Sequence, residues 1–321
     1  MNNIERYGLM GYKVFLESSI LQKGKPATAG SKMLAEFIAP VNATVVGLLE
    51  AAGVEIAGRV ELGEFGASGL FAETGDDAAS FLAENEALTE TVSNADATLC
   101  NDYTGAISLA AASFGLYYIH PTYGTVSRYG LIPSVSSMDQ IGVLCKNPED
   151  GFAILKIISG YDKREKTNIK LKINHETQLN FKSEIYARIM QILCCAELAN
   201  NISRYDGIKF GYRAKAYNGL NELYTKSRTE AFGEDVKLAT IIGAMVLYQE
   251  DGERIYDKAM KVRRVIRDSF EFDKYDLISV NNPAISRLCG FPSLTTPDCT
   301  CISAAGREDV LEAMLKDCGV Q

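Results

Sequence analysis

Two histidines and eight cysteines are the side chains of this 321-residue sequence best suited to act as a base, a thiol nucleophile or a soft-metal ligand. His120 and His175 lie far apart in sequence. The cysteines, at 100, 145, 194, 195, 289, 299, 301 and 318, form no CxxC, and only Cys299 and Cys301 are closely spaced. A structural zinc site wants four such ligands at short spacings, so no metal and no cofactor is expected, and the thiols read as reduced and mostly buried. His120, set between Ile119 and Pro121, reads as a packed histidine rather than a base. Glu61 and Glu64, three apart, would share one helical face as a solvated pair. Gly63, Gly66 and Gly69 follow GxxGxxG, which is not the GxGxxG of a dinucleotide turn. No GxxxxGK(S/T) occurs, so this stretch reads as a plain loop.

The elements that must position these residues follow from periodicity. Val45, Val46, Leu48, Leu49 and Ala52 recur at helical spacing after Asn42, which is placed to cap, and Gly53 is placed to stop the helix. VEIAGRV then reads as a strand, and SFGLYYIHPTYG at 113–124 as another apolar run ended by Pro and Gly. NPEDGFAILKIISG at 147–160 opens with an Asn-Pro start signal and reads as a helix. The polar tract at about 161–182 is the candidate linker between a mixed α/β half, 1–160, and a mainly helical half, 183–321. In that second half Ile255, Ala259, Val262 and Ile266 form an apolar stripe, with Lys258, Lys261, Arg264 and Arg267 on the solvated side.

Composition narrows the function classes. Forty-one acidic against thirty-three basic residues give a net charge of −8, and the pI near 5.1 excludes nucleic-acid binding by broad phosphate neutralisation. No run approaches the ~18 apolar residues of a membrane span and the N-terminus lacks a signal-peptide pattern, so a cytoplasmic protein with no membrane contact is expected.

Longer strings go further. KPATAGSKMLAEFIAPVNATVV, VEIAGRVELGEF, HPTYGTVSRYGLIPSVSSMDQIG, NISRYDGIKFGYRA, ELYTKSRTEAFGEDVK and KAMKVRRVIRDSF occur in that order. Together they resemble the A subunits of glutamyl-tRNA(Gln)/aspartyl-tRNA(Asn) amidotransferase, in the amidase signature family. The resemblance runs from about Gly11 to LCGFPSLTTPD at 288–298. It implies an α/β fold, shortened, with a mixed central sheet covered by helices on both faces, as a single amidase-like domain over 1–321. It also implies the family's chemistry: a Ser, cis-Ser, Lys triad that releases ammonia from glutamine for a B subunit, with a small C subunit in support. A serine hydroxyl attacks only when a neighbour takes its proton, and the oxyanion then needs backbone N–H donors.

Matched one by one, the triad positions depart from the family. The lysine base falls on Glu17, the serine nucleophile on Ala106, and the relay serine near Leu82, where SFLAENE replaces a glycine- and serine-rich stretch. The loop around Ala106 keeps Asp102 and Gly105, with Tyr103 and Thr104 between them, and Ser108 follows. Tyr205, Tyr212 and Arg263 remain from the helical half, while Phe210 stands where the family's RYGYR tract has a tyrosine. The chain is also contracted around 163–180 and after Asp276.

Loss of all three positions implies a catalytically degenerate subunit that binds, braces or regulates, because a triad acts as a unit. Its expected partners are amidotransferase B- and C-type subunits or a true A subunit, with no direct nucleic acid. A small amide or amine ligand is also expected, the amine favoured by Glu17. The alternative is an active glutamine-hydrolysing subunit with a relocated nucleophile, Ser108 or Cys100. Tyr205, Tyr212 and Arg263 read first as braces between helices and second as ligand contacts.

Overall fold

The computed structural model describes residues 11–71, 86–160, 184–248, 254–280 and 282–317. The tract 161–182, Leu82, His175 and Cys318 lie outside the described residues.

Eight strands form one sheet: β1 (Lys13–Glu17), β2 (Glu55–Val60), β3 (Ala97–Asn101), β4 (Tyr117–His120), β5 (Ile141–Cys145), β6 (Leu277–Val280), β7 (Ser293–Thr295) and β8 (Thr300–Ser303). Their order is β2-β1-β3-β5-β4-β7-β8-β6. β1 runs parallel to β2 and β3, and every other pairing is antiparallel. The central strands β3 and β5 are buried at every position, which is why ATLCN and IGVLC lack the polar alternation of a half-exposed strand.

Both faces of the sheet are covered. Val14, Leu16, Leu99, Ile119 and Val143 pack with α1 (Thr44–Ala51), α4 (Pro148–Ile158) and α10 (Glu308–Asp317). Their sequence neighbours Phe15, Cys100, Tyr118 and Leu144 point the other way, to α2 (Glu86–Ser93) and α3 (Ala106–Ser113). A third cluster joins α5 (Glu184–Ile202), α7 (Glu234–Leu247) and α8 (Ile255–Asp268) to α9 (Ala284–Cys289) and the Phe65 loop. α6 (Gly219–Ala231) lies alongside them in sequence.

The start signal at 147 is used as expected: the Asn147 side chain accepts from Glu149 N at 2.9 Å and Pro148 opens α4. Asn42 does not cap α1, because Ala43 holds the cap position and the Asn42 Oδ1 accepts from Lys23 N at 2.7 Å. The second half is less purely helical than its periodicity implies: β6, β7 and β8 come from it and complete the sheet through the β4–β7 pair. In α8 the stripe is half right. Ala259 and Ile266 are buried, Ile255 and Val262 are exposed, and Arg263 occupies the inner line between the two buried residues. No described helix is long and apolar enough to cross a membrane.

Candidate functional site

Glu17 ends β1 and Asn101 ends the adjacent β3, so the sheet register brings them together: the Glu17 Oε2 accepts from Asn101 N at 2.6 Å. Asn101 in turn donates from its side chain to Asp139 Oδ1 at 2.9 Å, and Gln140 N donates to Asn101 Oδ1 at 3.1 Å. Asp139, from the SSMDQIG run, also accepts from Ser134 N and Val135 N. Burial raises the Glu17 carboxyl to about 7, with the Asn101 N–H opposing that rise. Asp139 is also pushed up by burial, against its hydrogen bonds.

The Asp102 loop leads into α3. Gly105 sits at φ +80°, and a Cβ there would meet Ala284 N at 2.9 Å, so the loop lies against the start of α9 where only glycine fits. Asp102 caps α3 from within: Oδ1 accepts from Ile107 N and Oδ2 from Ser108 N, both at 3.0 Å. The Ala106 N–H goes to Thr104 Oγ1 at 3.3 Å. The N–H groups at the start of α3 are therefore spent inside the loop.

Beneath the loop lies a fully buried charge network. Arg287 pairs with Asp102 Oδ2 at 3.0 Å, and its Nε donates to Asp102 O at 3.1 Å. Its remaining donors reach Pro283 O, Ser286 Oγ, Ser293 Oγ and Ser108 Oγ. Ser108 Oγ donates to Asp102 Oδ2 at 2.6 Å and has no solvent exposure. Cys100 is equally buried, and burial pushes its thiol well up, away from the thiolate that a nucleophile needs. His120 is buried with Nδ1 unpartnered, and burial first and Arg287 second hold it neutral. It is packed, as expected.

Space at the loop is small. The cavity lined by Leu62, Gly63, Gly66, Ser68, Asn101, Asp102, Thr104 and Ile107 measures about 10 Å³, room for roughly one water. Gly69 closes over Ala106: it sits at φ +80°, and a Cβ added there would lie 2.7 Å from the Ala106 methyl. Phe65 holds φ +51°, costly for a non-glycine residue. Stacking on Tyr205 at 5.5 Å, an edge contact with Phe232 and a Tyr103 hydroxyl donating to its carbonyl at 3.1 Å fix it there.

The three residues retained from the helical half separate. Tyr205 joins the loop through Phe65. Tyr212 lies apart, its hydroxyl on Glu230 at 2.6 Å and its ring beneath the Lys32 ammonium. Arg263 lines a second, larger cavity of about 630 Å³ with Thr122, Tyr123, Arg264 and Arg267. There it braces: Nε donates to Leu288 O at 2.6 Å, Nη1 to Ser137 Oγ at 2.7 Å and Nη2 to Ser137 O at 3.0 Å. Glu61 is exposed, as a solvated carboxylate is, whereas Glu64 is half-buried, and both accept hydrogen bonds. Glu61 accepts from Ser18 and Thr28, each at 2.5 Å, and Glu64 from Ser31 Oγ at 2.5 Å and Gly233 N at 2.7 Å. Arg287, Asn101 and Asp139 carry no motif of their own in the sequence. Their one trace was position, beside LCGFPS, within LCNDYTG and within SSMDQIG.

Comparison with known proteins adds the lineage. The Amidase family model matches residues 92–192 and 176–283. The A subunit of glutamyl-tRNA(Gln) amidotransferase from Lachnoclostridium phytofermentans is 32% identical, over 88% of this chain and 69% of that protein. Its counterpart from Wolinella succinogenes is 33% identical, over 84% of this chain and 72% of that protein. Among solved structures, a chain from a vestigial protein complex that bears on the origins of an s-triazine catabolic enzyme superposes with a TM-score of 0.71 at 17% identity, covering 97% of this chain and 84% of the other. The native peptide amidase of Stenotrophomonas maltophilia gives 0.68 at 16%, covering 94% and 81%. These likenesses establish the fold.

Proposed function

Because this chain belongs to the amidase family, we propose that it is a catalytically degenerate member, serving as a binding, structural or regulatory subunit rather than as an ammonia-releasing enzyme. One observation carries the reading: the residue matched to the nucleophile is Ala106, whose methyl lies under Gly69 beside a cavity of about 10 Å³. An acyl intermediate has neither an attacking oxygen there nor room to form. Glu17 at the matched base position supports the same reading, since its carboxyl is held by Asn101 N and cannot serve as the lysine does. Ser108 and Cys100 offer no replacement. The first is committed to Asp102 and Arg287, and the second is a buried, protonated thiol.

The similarity to the A subunits of tRNA-dependent amidotransferase supports B- and C-type subunits, or a true A subunit, as partners. An amine preference at Glu17 has no geometric support, since Glu17 is 3% exposed and lines neither cavity. Of the two cavities, the 630 Å³ cleft is the one with room for a small amide or amine, and Asp268, paired with Arg264, lines it together with Arg267.

The test has two arms. Ammonia release from glutamine and asparagine by the purified protein is expected to match the buffer blank. Turnover abolished by Ser108→Ala or Cys100→Ala would establish the active alternative. Affinity purification from the native cell is expected to recover an amidotransferase component, and its absence removes the subunit reading.

A further inference from the structure

Seven cysteines lie among the described residues, and two of them face each other. Cys299 Sγ and Cys301 Sγ are 3.8 Å apart, with Cys301 buried and Cys299 partly open to solvent. The β7–β8 hairpin produces this geometry. Cys301 is the second residue of β8, paired with Leu294, and Cys299 ends the turn, two residues earlier and so on the same face. The turn is held by Thr296, whose N donates to Cys299 O at 2.8 Å and whose Oγ1 accepts from Cys299 N at 3.1 Å.

We propose that Cys299 and Cys301 form an oxidant-responsive dithiol, with hydroperoxides as its substrate class. The Cys299 thiolate attacks one peroxide oxygen, and the O–O bond breaks to leave Cys299 as a sulfenic acid with hydroxide, or alkoxide, departing. The Cys301 sulfur then displaces the sulfenic hydroxyl, which leaves as water with the Cys301 thiol proton. The products are a Cys299–Cys301 disulfide and reduced peroxide, and a thiol reductant reverses the bridge.

The electrostatics agree with the assigned roles. Cys299 is lowered to about 6, chiefly by its contact with Cys301 Sγ and, against the opposing effect of burial, by Thr296 Oγ1, which favours the partly open sulfur as the thiolate and the buried one as the resolving thiol. Cys100, Cys145, Cys194, Cys195 and Cys289 are all raised by burial and stay protonated. The bridge is feasible but tight. Residues two apart on a strand lie about 6.7 Å apart at Cα, near the upper end of the disulfide range, so closure puckers the strand at Thr300 and gives an easily reduced bond. The pucker loosens the Thr295–Thr300 rung of the hairpin.

The test uses the full chain, reduced and then exposed to graded hydrogen peroxide. Mass spectrometry without reduction should show the tryptic peptide spanning 288–307 lighter by two hydrogens. Fragmentation should place the link between Cys299 and Cys301 and exclude Cys289, and dithiothreitol should restore the peptide. Cys301→Ser should leave a sulfenic acid at Cys299 that dimedone traps, and Cys299→Ser should abolish both products. The wild-type peptide needs no variant to fold, so the proposal stands or falls on it. A link through Cys289, sulfinic acid without a bridge, or a metal ion held by the pair in the isolated protein would each overturn it.

Discussion

Arg287 reaches back 185 residues to pair with Asp102 at 3.0 Å, the two side chains 0% and 1% exposed. A buried pair survives only when its remaining donors and acceptors are met, and here they are. Three hydroxyls and two carbonyls take the guanidinium, two α3 N–H groups and Ser108 take the carboxylate, and the Tyr118 ring lies under the cation at 5.3 Å. The loop that would carry a nucleophile is thus bolted to the C-terminal part of the sheet.

Arg287→Met should lower unfolding stability by about 3–5 kcal/mol, because it strands the Asp102 carboxylate without its cation. Asp102→Ala added to it should recover part of the loss, though not the α3 cap. Urea unfolding of the double variant and of each single variant reads both effects, and additive losses would show that the groups do not interact.

Glu17 gives the stability a pH dependence of known sign. Its folded value of about 7 lies above the ordinary 4.5, so the folded chain holds a proton that the unfolded chain releases. The stabilisation is complete below pH 4.5 and is lost as pH rises through 7, a change of about 3 kcal/mol. Glu17→Gln keeps the acceptor for Asn101 N without the charge. It should match wild type near pH 4 and melt higher at pH 8. Equal melting shifts at both pH values would disprove this account.

Restoring the matched residues should not restore chemistry. In the double variant Glu17→Lys with Ala106→Ser, the ammonium is a donor facing the Asn101 N–H donor in a buried position, and the new hydroxyl presses on Gly69. Ammonia release from glutamine should stay at the blank, and the melting temperature should fall.

Gly69→Ala should cost about 1–3 kcal/mol, from overpacking against the Ala106 methyl together with the left-handed backbone at that residue. Thermal unfolding checks it, and a neutral result would mean the loop has room that the cavity volume denies.

What was legible in the sequence was what repeats or matches. Helical spacing found α1, α4 and α8, and framework strings found the fold and the Asp102 loop. What escaped were contacts between distant residues. Nothing near Arg287 announces a buried partner at Asp102, and an arginine inside AISRLC reads as helix surface until β7 closes over it. The α8 stripe misled for a related reason. Spacing reports which residues are apolar, whereas the inner line of that helix was fixed by what Arg263 can bond, namely Leu288 O and Ser137. The hydrogen bonds of Glu61 and Glu64 escaped because their hydroxyl partners come from Ser18, Thr28 and Ser31, thirty or more residues away.

The sheet order has a consequence for biosynthesis. β4 takes β7 as its neighbour, and Arg287 precedes β7. While the chain emerges from the ribosome, Asp102 and Ser108 are made long before the cation that neutralises them, and β4 waits with an open edge. The loop around Ala106 therefore takes its final shape only after α9 and β7 have left the exit tunnel. Until then the nascent chain carries an uncovered strand edge, a feature that makes partly folded chains prone to aggregate.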